Sequence, residues 1–175
     1  MSEKTKENVK ELTRDVVIAI AIAFAIGIFI RPTLVQETSM EPNIYPNDYL
    51  IMSKQSYTFG EMHRGDVIIF KSDLETENHH KKLLIKRVIG LPGDVITITG
   101  GNVWINGSRV KENYIAEGGT PGDIYNLVVP KGKLFVMGDH RVVSIDSRKL
   151  GCINQDRVKG KAVFRLYPFN KIGAI

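Results

Sequence analysis

The chain has 175 residues, an apolar fraction of 43%, a charged fraction of 25% and a formal net charge of +5. That length supports one domain with a real core, and the single cysteine, Cys152, excludes an internal disulfide and a cysteine-rich zinc site. The positive charge fits a soluble basic surface or attraction to anionic lipid headgroups; without a Lys/Arg stripe interleaved with exposed aromatics it does not fit nucleic acid.

Residues 1–15 are densely charged, with Lys4, Lys6, Lys10 and Arg14 set against Glu3, Glu7, Glu11 and Asp15. Val16 to Ile30 then runs for fifteen residues without a polar side chain, closed by Arg31 and Pro32. As a helix this run spans about 22 Å, short of a hydrocarbon core about 30 Å thick. Leu12, Thr13, Leu34 and Val35 lengthen it, and Arg14 and Arg31 can snorkel to the two interfaces. A core helix would carry a polar stripe, and a cleaved signal peptide would be followed by a small-residue site in place of Arg-Pro. The pattern predicts a cytoplasmic tail over 1–15, one uncleaved transmembrane helix over 16–35 and an extracytoplasmic domain over 36–175. The four Lys/Arg of the tail hold the N-terminus in the cytoplasm of a single-pass cell-membrane protein.

Beyond Asp48 the chain reads as short β-branched or apolar runs: Tyr49–Met52, Val67–Phe70, Leu83–Ile85, Val95–Ile98, Val103–Ile105, Leu127–Val129 and Leu134–Met137. Turn signals separate them, and Asn106-Gly107 is the signature of a type I′ hairpin. These runs predict a mostly β domain, a coiled antiparallel sheet or barrel-like body. Ser72–Lys82 and Glu117–Asp123 read as loops. His79-His80 has no further ligands at workable spacing, so these are surface histidines and no metal is expected.

Neither the zinc-hydrolase H-E-x-x-H pattern nor the G-x-S-x-G elbow occurs. Spacing alone leaves a Ser-His-Asp triad open, with His63 and His140 as candidate bases. Four blocks point elsewhere: Thr38-Ser39-Met40-Glu41-Pro42-Asn43, Arg64–Phe70, Lys86–Asp94 and Gly138–Arg148. In this order behind an N-terminal anchor they resemble the signature boxes of the type I signal peptidases, in the small Gram-positive bacterial form. The resemblance covers nearly the whole chain, including Gly160-Lys161-Ala162. It implies a serine endopeptidase that removes signal peptides from exported preproteins after Ala-x-Ala, with preproteins and the bilayer as partners and no cofactor.

The resemblance also implies roles. Ser39 corresponds to the nucleophile, Lys86 to the general base, and Ser144 to the serine that orients the lysine amine. Asp146 and Arg148 match a supporting ion pair, and the Ser39 N–H an oxyanion donor. A free lysine is protonated at neutral pH, but burial lowers its pKa by units, and Leu84, Ile85, Val88 and Ile89 flank Lys86 with apolar surface. Ser39 lies eight residues beyond Arg31, which holds it near the membrane where an export signal presents its cleavage site. An extended peptide can add to the site as a strand, with Val35, Met40, Ile44, Leu84 and Ile85 as candidates for lining shallow pockets.

Four positions depart from the family pattern: Glu37, Asn43, His140 and Val143. Glu37 stands where a hydroxyl would supply a second oxyanion donor, which an ionised carboxylate cannot do. These departures keep two alternatives in view, a non-catalytic preprotein-binding paralogue and a dedicated Ser-Lys processing enzyme.

Overall fold

In the computed structural model the charged tail and the apolar run form one helix, α1 (Glu3–Phe29), which passes directly into an edge strand, β1 (Ile30–Leu34). The structure describes the chain apart from residues 1, 2, 58, 59 and 77, and only the backbone of residues 3–7, 22–26 and 28–30. Pro32 in β1 is tolerated because an edge strand need not donate on both sides. Val16, Val17, Ile18 and Ile20 of α1 are exposed. Among the described residues no helix is long and apolar enough to cross a membrane; the side chains of 22–26 and 28–30, in the second half of the apolar run, lie outside the described set.

The body is antiparallel β structure. After β1 come β2 (Tyr49–Ser53), β3 (Val67–Glu75), β4 (Lys81–Gly90), β5 (Val95–Thr99), β6 (Asn102–Ile105), β7 (Ser108–Arg109), β8 (Ile124–Val128) and β9 (Lys133–Met137). A short helix, α2 (Ser147–Leu150), precedes β10 (Ile153–Asn154), β11 (Val158–Tyr167) and β12 (Gly173–Ala174). One sheet has the order β1-β2-β11-β3-β4-β9-β10, with β12 on β11, and the other β7-β6-β5-β8. The mostly β, antiparallel expectation therefore stands. Asn106 and Gly107 both have positive φ, 52° and 79°, as a type I′ turn requires, and Trp104 pairs with Arg109 across it.

β3 and β4 are buried on both faces, which is why their sequences read as continuous apolar runs. Val67 and Ile69 join Val35, Met40, Ile44, Leu50, Met52, Ile85 and Ala162 in one cluster. Ile68 and Phe70 point the other way, to Leu84, Val88, Leu134 and Val136. A third cluster, with Ile89, Ile96, Ile98, Val103 and Phe135, lies under the smaller sheet. Each such side chain contributes about 1.5–3 kcal/mol on burial.

The Ser72–Lys82 segment is more ordered than its polarity suggested. β3 continues to Glu75 and β4 begins at Lys81. Ser72 Oγ donates to Lys82 O at 2.9 Å, and Lys81 Nζ meets Glu75 Oε1 at 3.2 Å across the ladder. Opposite charges on facing strands stabilise a pair that has little apolar surface to bury.

Candidate active site

The Ser39 segment is a loop closed at its base by Val35, whose N–H donates to Asp48 O at 3.0 Å while its carbonyl accepts from Asn47 N at 2.8 Å. Within it Glu41 N donates to Thr38 O and Ile44 N to Met40 O, so the chain turns tightly just after Ser39. Met40 and Ile44, four residues apart and fully buried, pin that turn to the core. His140 N–H donates to the Ser39 carbonyl at 3.0 Å. Asn43 Nδ2 donates to Asp139 Oδ2 at 2.8 Å and to Tyr114 O, which ties the loop to a second segment.

Lys86 comes from the middle of β4, paired opposite Ile68 of β3. It shares its strand face with Leu84 and Val88 and has no exposed surface. Its Nζ donates to Ser39 Oγ at 2.7 Å and to Ile85 O at 2.9 Å. Burial pushes the ammonium down from 10.5 to about 8; Glu37, then Asp146 and Asp139, oppose that shift, while Lys82 adds to it. With Lys86 neutral, the 2.7 Å contact runs the other way and the serine hydroxyl donates to the amine. Both histidines weighed as bases stand off Ser39 Oγ: His63 is exposed, and His140 engages Ser39 through its backbone N–H.

The Gly138–Arg148 box supports the pair from behind. A Cβ at Gly138 would collide with the Ser39 carbonyl oxygen and the Ser144 side chain, so only glycine allows the three segments to meet. Gly138 N–H donates to Asp146 Oδ2 at 3.0 Å, and Arg141 Nε donates to Gly138 O at 2.9 Å. Asp146 is wholly buried and held in a fork by Arg148, Nε to Oδ1 at 2.9 Å and Nη2 to Oδ2 at 2.8 Å. Burial raises its pKa, but the Arg148 fork, the neighbouring Ser144 hydroxyl and the Gly138 N–H outweigh this and hold it below the usual carboxylate range. Ser144 Oγ is buried beside Asp146 and is not bonded to Lys86. Asp139 takes a similar fork from Arg87, at 2.9 and 2.7 Å.

Two cavities, each about 330 Å³, share Gln36, Glu37, Lys82 and Leu84, and Ser39 lines one of them. The first is lined by Ser39 itself with Thr38, Leu74, Leu84, Val143 and Ile145. The second is lined by Val35, Ile69, Leu83, Leu84 and Ile85 among others. Of the residues expected at substrate pockets, Val35, Leu84 and Ile85 therefore face a cavity. Met40 and Ile44 lie in the core and line neither of the two. Glu37 and Lys82 line both cavities and form an ion pair with each other.

Sequence reasoning passed over Gly138, the Asn43–Asp139–Arg87 link and the Glu37–Lys82 pair. The glycine carried a weak signal, standing between a strand and a polar loop. The three contacts involved join residues 96, 52 and 45 positions apart and have no local signature.

Comparison with known proteins identifies the family. A family model described as signal peptidase, peptidase S26, matches residues 9–167. Signal peptidase I of Bacillus licheniformis is 37% identical over 95% of this chain and 93% of its own. Signal peptidase I T of Bacillus subtilis is 37% identical over 81% of this chain and 76% of its own. A crystal structure of a signal peptidase I from Enterococcus faecalis is 31% identical, covers 58% of this chain and 96% of its own, and has a TM-score of 0.49.

Proposed function

The chain belongs to the signal peptidases of peptidase family S26, serine endopeptidases that remove signal peptides from preproteins, and from that premise we propose that Ser39 and Lys86 are its catalytic pair. The observation that carries this reading is the 2.7 Å contact between a buried lysine and a serine hydroxyl at the head of a cleft. Neutral Lys86 takes the Ser39 proton as Oγ attacks the scissile carbonyl, and the resulting ammonium returns that proton to the departing amine. Water, deprotonated by Lys86 in turn, then cleaves the Ser39 ester and releases the signal peptide. The Ser39 N–H faces the developing oxyanion.

Ser144, Asp146 and Arg148 act as supports. Asp146 and Arg148 fix the box that carries Gly138, and the buried Ser144 hydroxyl orients the Lys86 amine. Val35, Leu84 and Ile85 shape small-residue pockets for an Ala-x-Ala signal.

The same reading makes α1 the anchor. Its apolar residues Val16 to Ile20 stand exposed, and the charged tail keeps the N-terminus on the cytoplasmic side. In this reading the helical part of the 16–35 anchor, which runs to Phe29, is the span, and the domain of 36–175 lies on the outer side. Full-length enzyme in detergent should convert an Ala-x-Ala precursor to one product beginning just after the second alanine, and Ser39→Ala should give none. In sealed inverted vesicles the precursor should stay intact until detergent is added. Undiminished processing by Ser39→Ala ends the proposed roles, and cutting in intact vesicles ends the orientation.

Lys86 also fixes the pH response. Its protonated form cannot accept the serine proton, so the cleavage rate should rise with pH through a midpoint near 8 as the ammonium empties. A rate profile flat between about pH 6 and 9 would show that no such base is at work.

A further inference from the structure

Glu37 and Lys82 belong to the two segments that carry Ser39 and Lys86. Glu37 lies two residues before Ser39, and Lys82 four residues before Lys86 on β4. Their side chains, 34% and 38% exposed, form an ion pair, and both line the same two cavities as Leu84. The two cavities share Gln36, Glu37, Lys82 and Leu84 and differ in everything else. The ion pair therefore stands at the boundary between them, with Leu84 common to both.

From this placement we propose that the Glu37–Lys82 pair is a specificity-determining crossbar, dividing one trough into two compartments and limiting the side chain accepted next to the bond that is cut. Alternate side chains of an extended peptide fall on one face roughly 7 Å apart. A peptide lying along the cleft drops one side chain into the Ser39 compartment and the next-but-one into the compartment of Val35 and Ile85. A small side chain fits short of the bar. A longer one in the Ser39 compartment meets the Lys82 stem and the Glu37 carboxylate, which hold each other in place and cannot both swing aside without separating two half-buried charges. Without the bar the compartments join over Leu84, and a leucine-sized side chain can extend from one into the other.

The inference rests on the Ser39 cleft being the cleavage site. Its test compares two precursors that differ only in the residue before the cut, alanine or leucine, with full-length wild type, Ser39→Ala, Lys82→Ala, Glu37→Ala and the charge-swapped double variant Glu37→Lys/Lys82→Glu. The readout is the ratio of kcat/KM for the two precursors within each enzyme, which is insensitive to the fraction folded. Both single variants should lower the alanine preference by about tenfold or more, the scale on which pocket size discriminates. The double variant should restore it by rebuilding the pair. An unchanged ratio in both single variants, or parallel loss of both precursors, overturns the crossbar. Cleavage that survives in Ser39→Ala defeats the underlying site assignment instead, so the two failures are distinguishable.

Discussion

Exchanging Lys86 for methionine is expected to end precursor cleavage and, at the same time, make the folded protein harder to denature. The loss of activity follows from the proposed proton transfer: methionine keeps the stem in place but offers no base, and removing one member of a catalytic unit costs about 10⁴-fold or more in kcat. The stability gain follows from linkage. Lys86 has no exposed surface and its ammonium is pushed down to about 8, against 10.5 for the free side chain. Between those two values the unfolded chain binds more protons than the folded one, so stability rises with pH through that window and is lowest below it. At neutral pH the penalty is about 3 kcal/mol at most. Methionine, of similar volume, escapes it, while forfeiting contacts to Ser39 Oγ and Ile85 O worth about 1 kcal/mol each. The variant should therefore be the more stable protein near pH 7, with an advantage that shrinks as pH climbs towards 10.5. Urea midpoints of both proteins at several pH values would show this. A difference that stays constant with pH, or a wild type that is more stable at pH 7, would mean that Lys86 is comfortable as an ammonium in the fold.

The strands that reveal themselves in the sequence are those with a run of apolar residues, whether buried on both faces or, like β2, β5 and β6, on alternate positions. β3, β4 and β9 carry unbroken apolar runs, and each was legible. β11 is as long as β4 and lies between β2 and β3, yet its sequence Val158–Tyr167 gives no such run. Its inward positions are filled by Gly160 and Ala162, because β2 approaches too closely for more: a Cβ at Gly160 would overlap the Ser53 carbonyl oxygen and crowd Met52. With Lys159, Lys161 and Arg165 alternating around these small residues, a central strand looks like a polar connector. β1 escaped notice for a different reason. Ile30–Leu34 falls within the stretch read as the extension of the apolar helix, and only its ladder to Tyr49–Ser53 marks it as a strand.

The candidate site divides along the same line. Ser39 and Lys86 sit in motifs whose every neighbour is informative, so the sequence could nominate them. What holds them 2.7 Å apart is written in contacts between distant segments. Asn43 looked like a departure from a family threonine, and its amide turns out to bridge Asp139 and Tyr114. Glu37 looked like a missing oxyanion donor, and its carboxylate is engaged by Lys82. In both cases the substituted residue acquires its meaning from a partner that spacing does not reveal.

Gly138→Ala should slow cleavage by about 10²-fold or more, although Gly138 takes no part in the proposed chemistry. The added methyl would overlap the Ser39 carbonyl oxygen and both Cβ and Oγ of Ser144. The backbone of residue 138 has little freedom to retreat, since its N–H is held by Asp146 at 3.0 Å and its carbonyl by Arg141 at 2.9 Å, and both partners are fully buried. The strain therefore passes to the Ser39 segment, whose carbonyl is fixed at 3.0 Å by the neighbouring His140 N–H. Overpacking of this kind costs about 1–3 kcal/mol, and an ångström of displacement at a nucleophile costs on the order of 10²-fold in rate. The expected result is a lower unfolding midpoint together with a kcat/KM reduced by about 10²-fold or more per folded molecule. Gly132→Ala separates these effects: Gly132 also needs its glycine, with φ of 73°, but nothing lies within 4 Å of its missing Cβ. It should lose about 1–2 kcal/mol of stability and keep its rate per folded molecule. If Gly138→Ala matches Gly132→Ala in rate, the nucleophile loop does not depend on that close approach, and the support ascribed to the box from Gly138 to Arg148 must lie in other contacts.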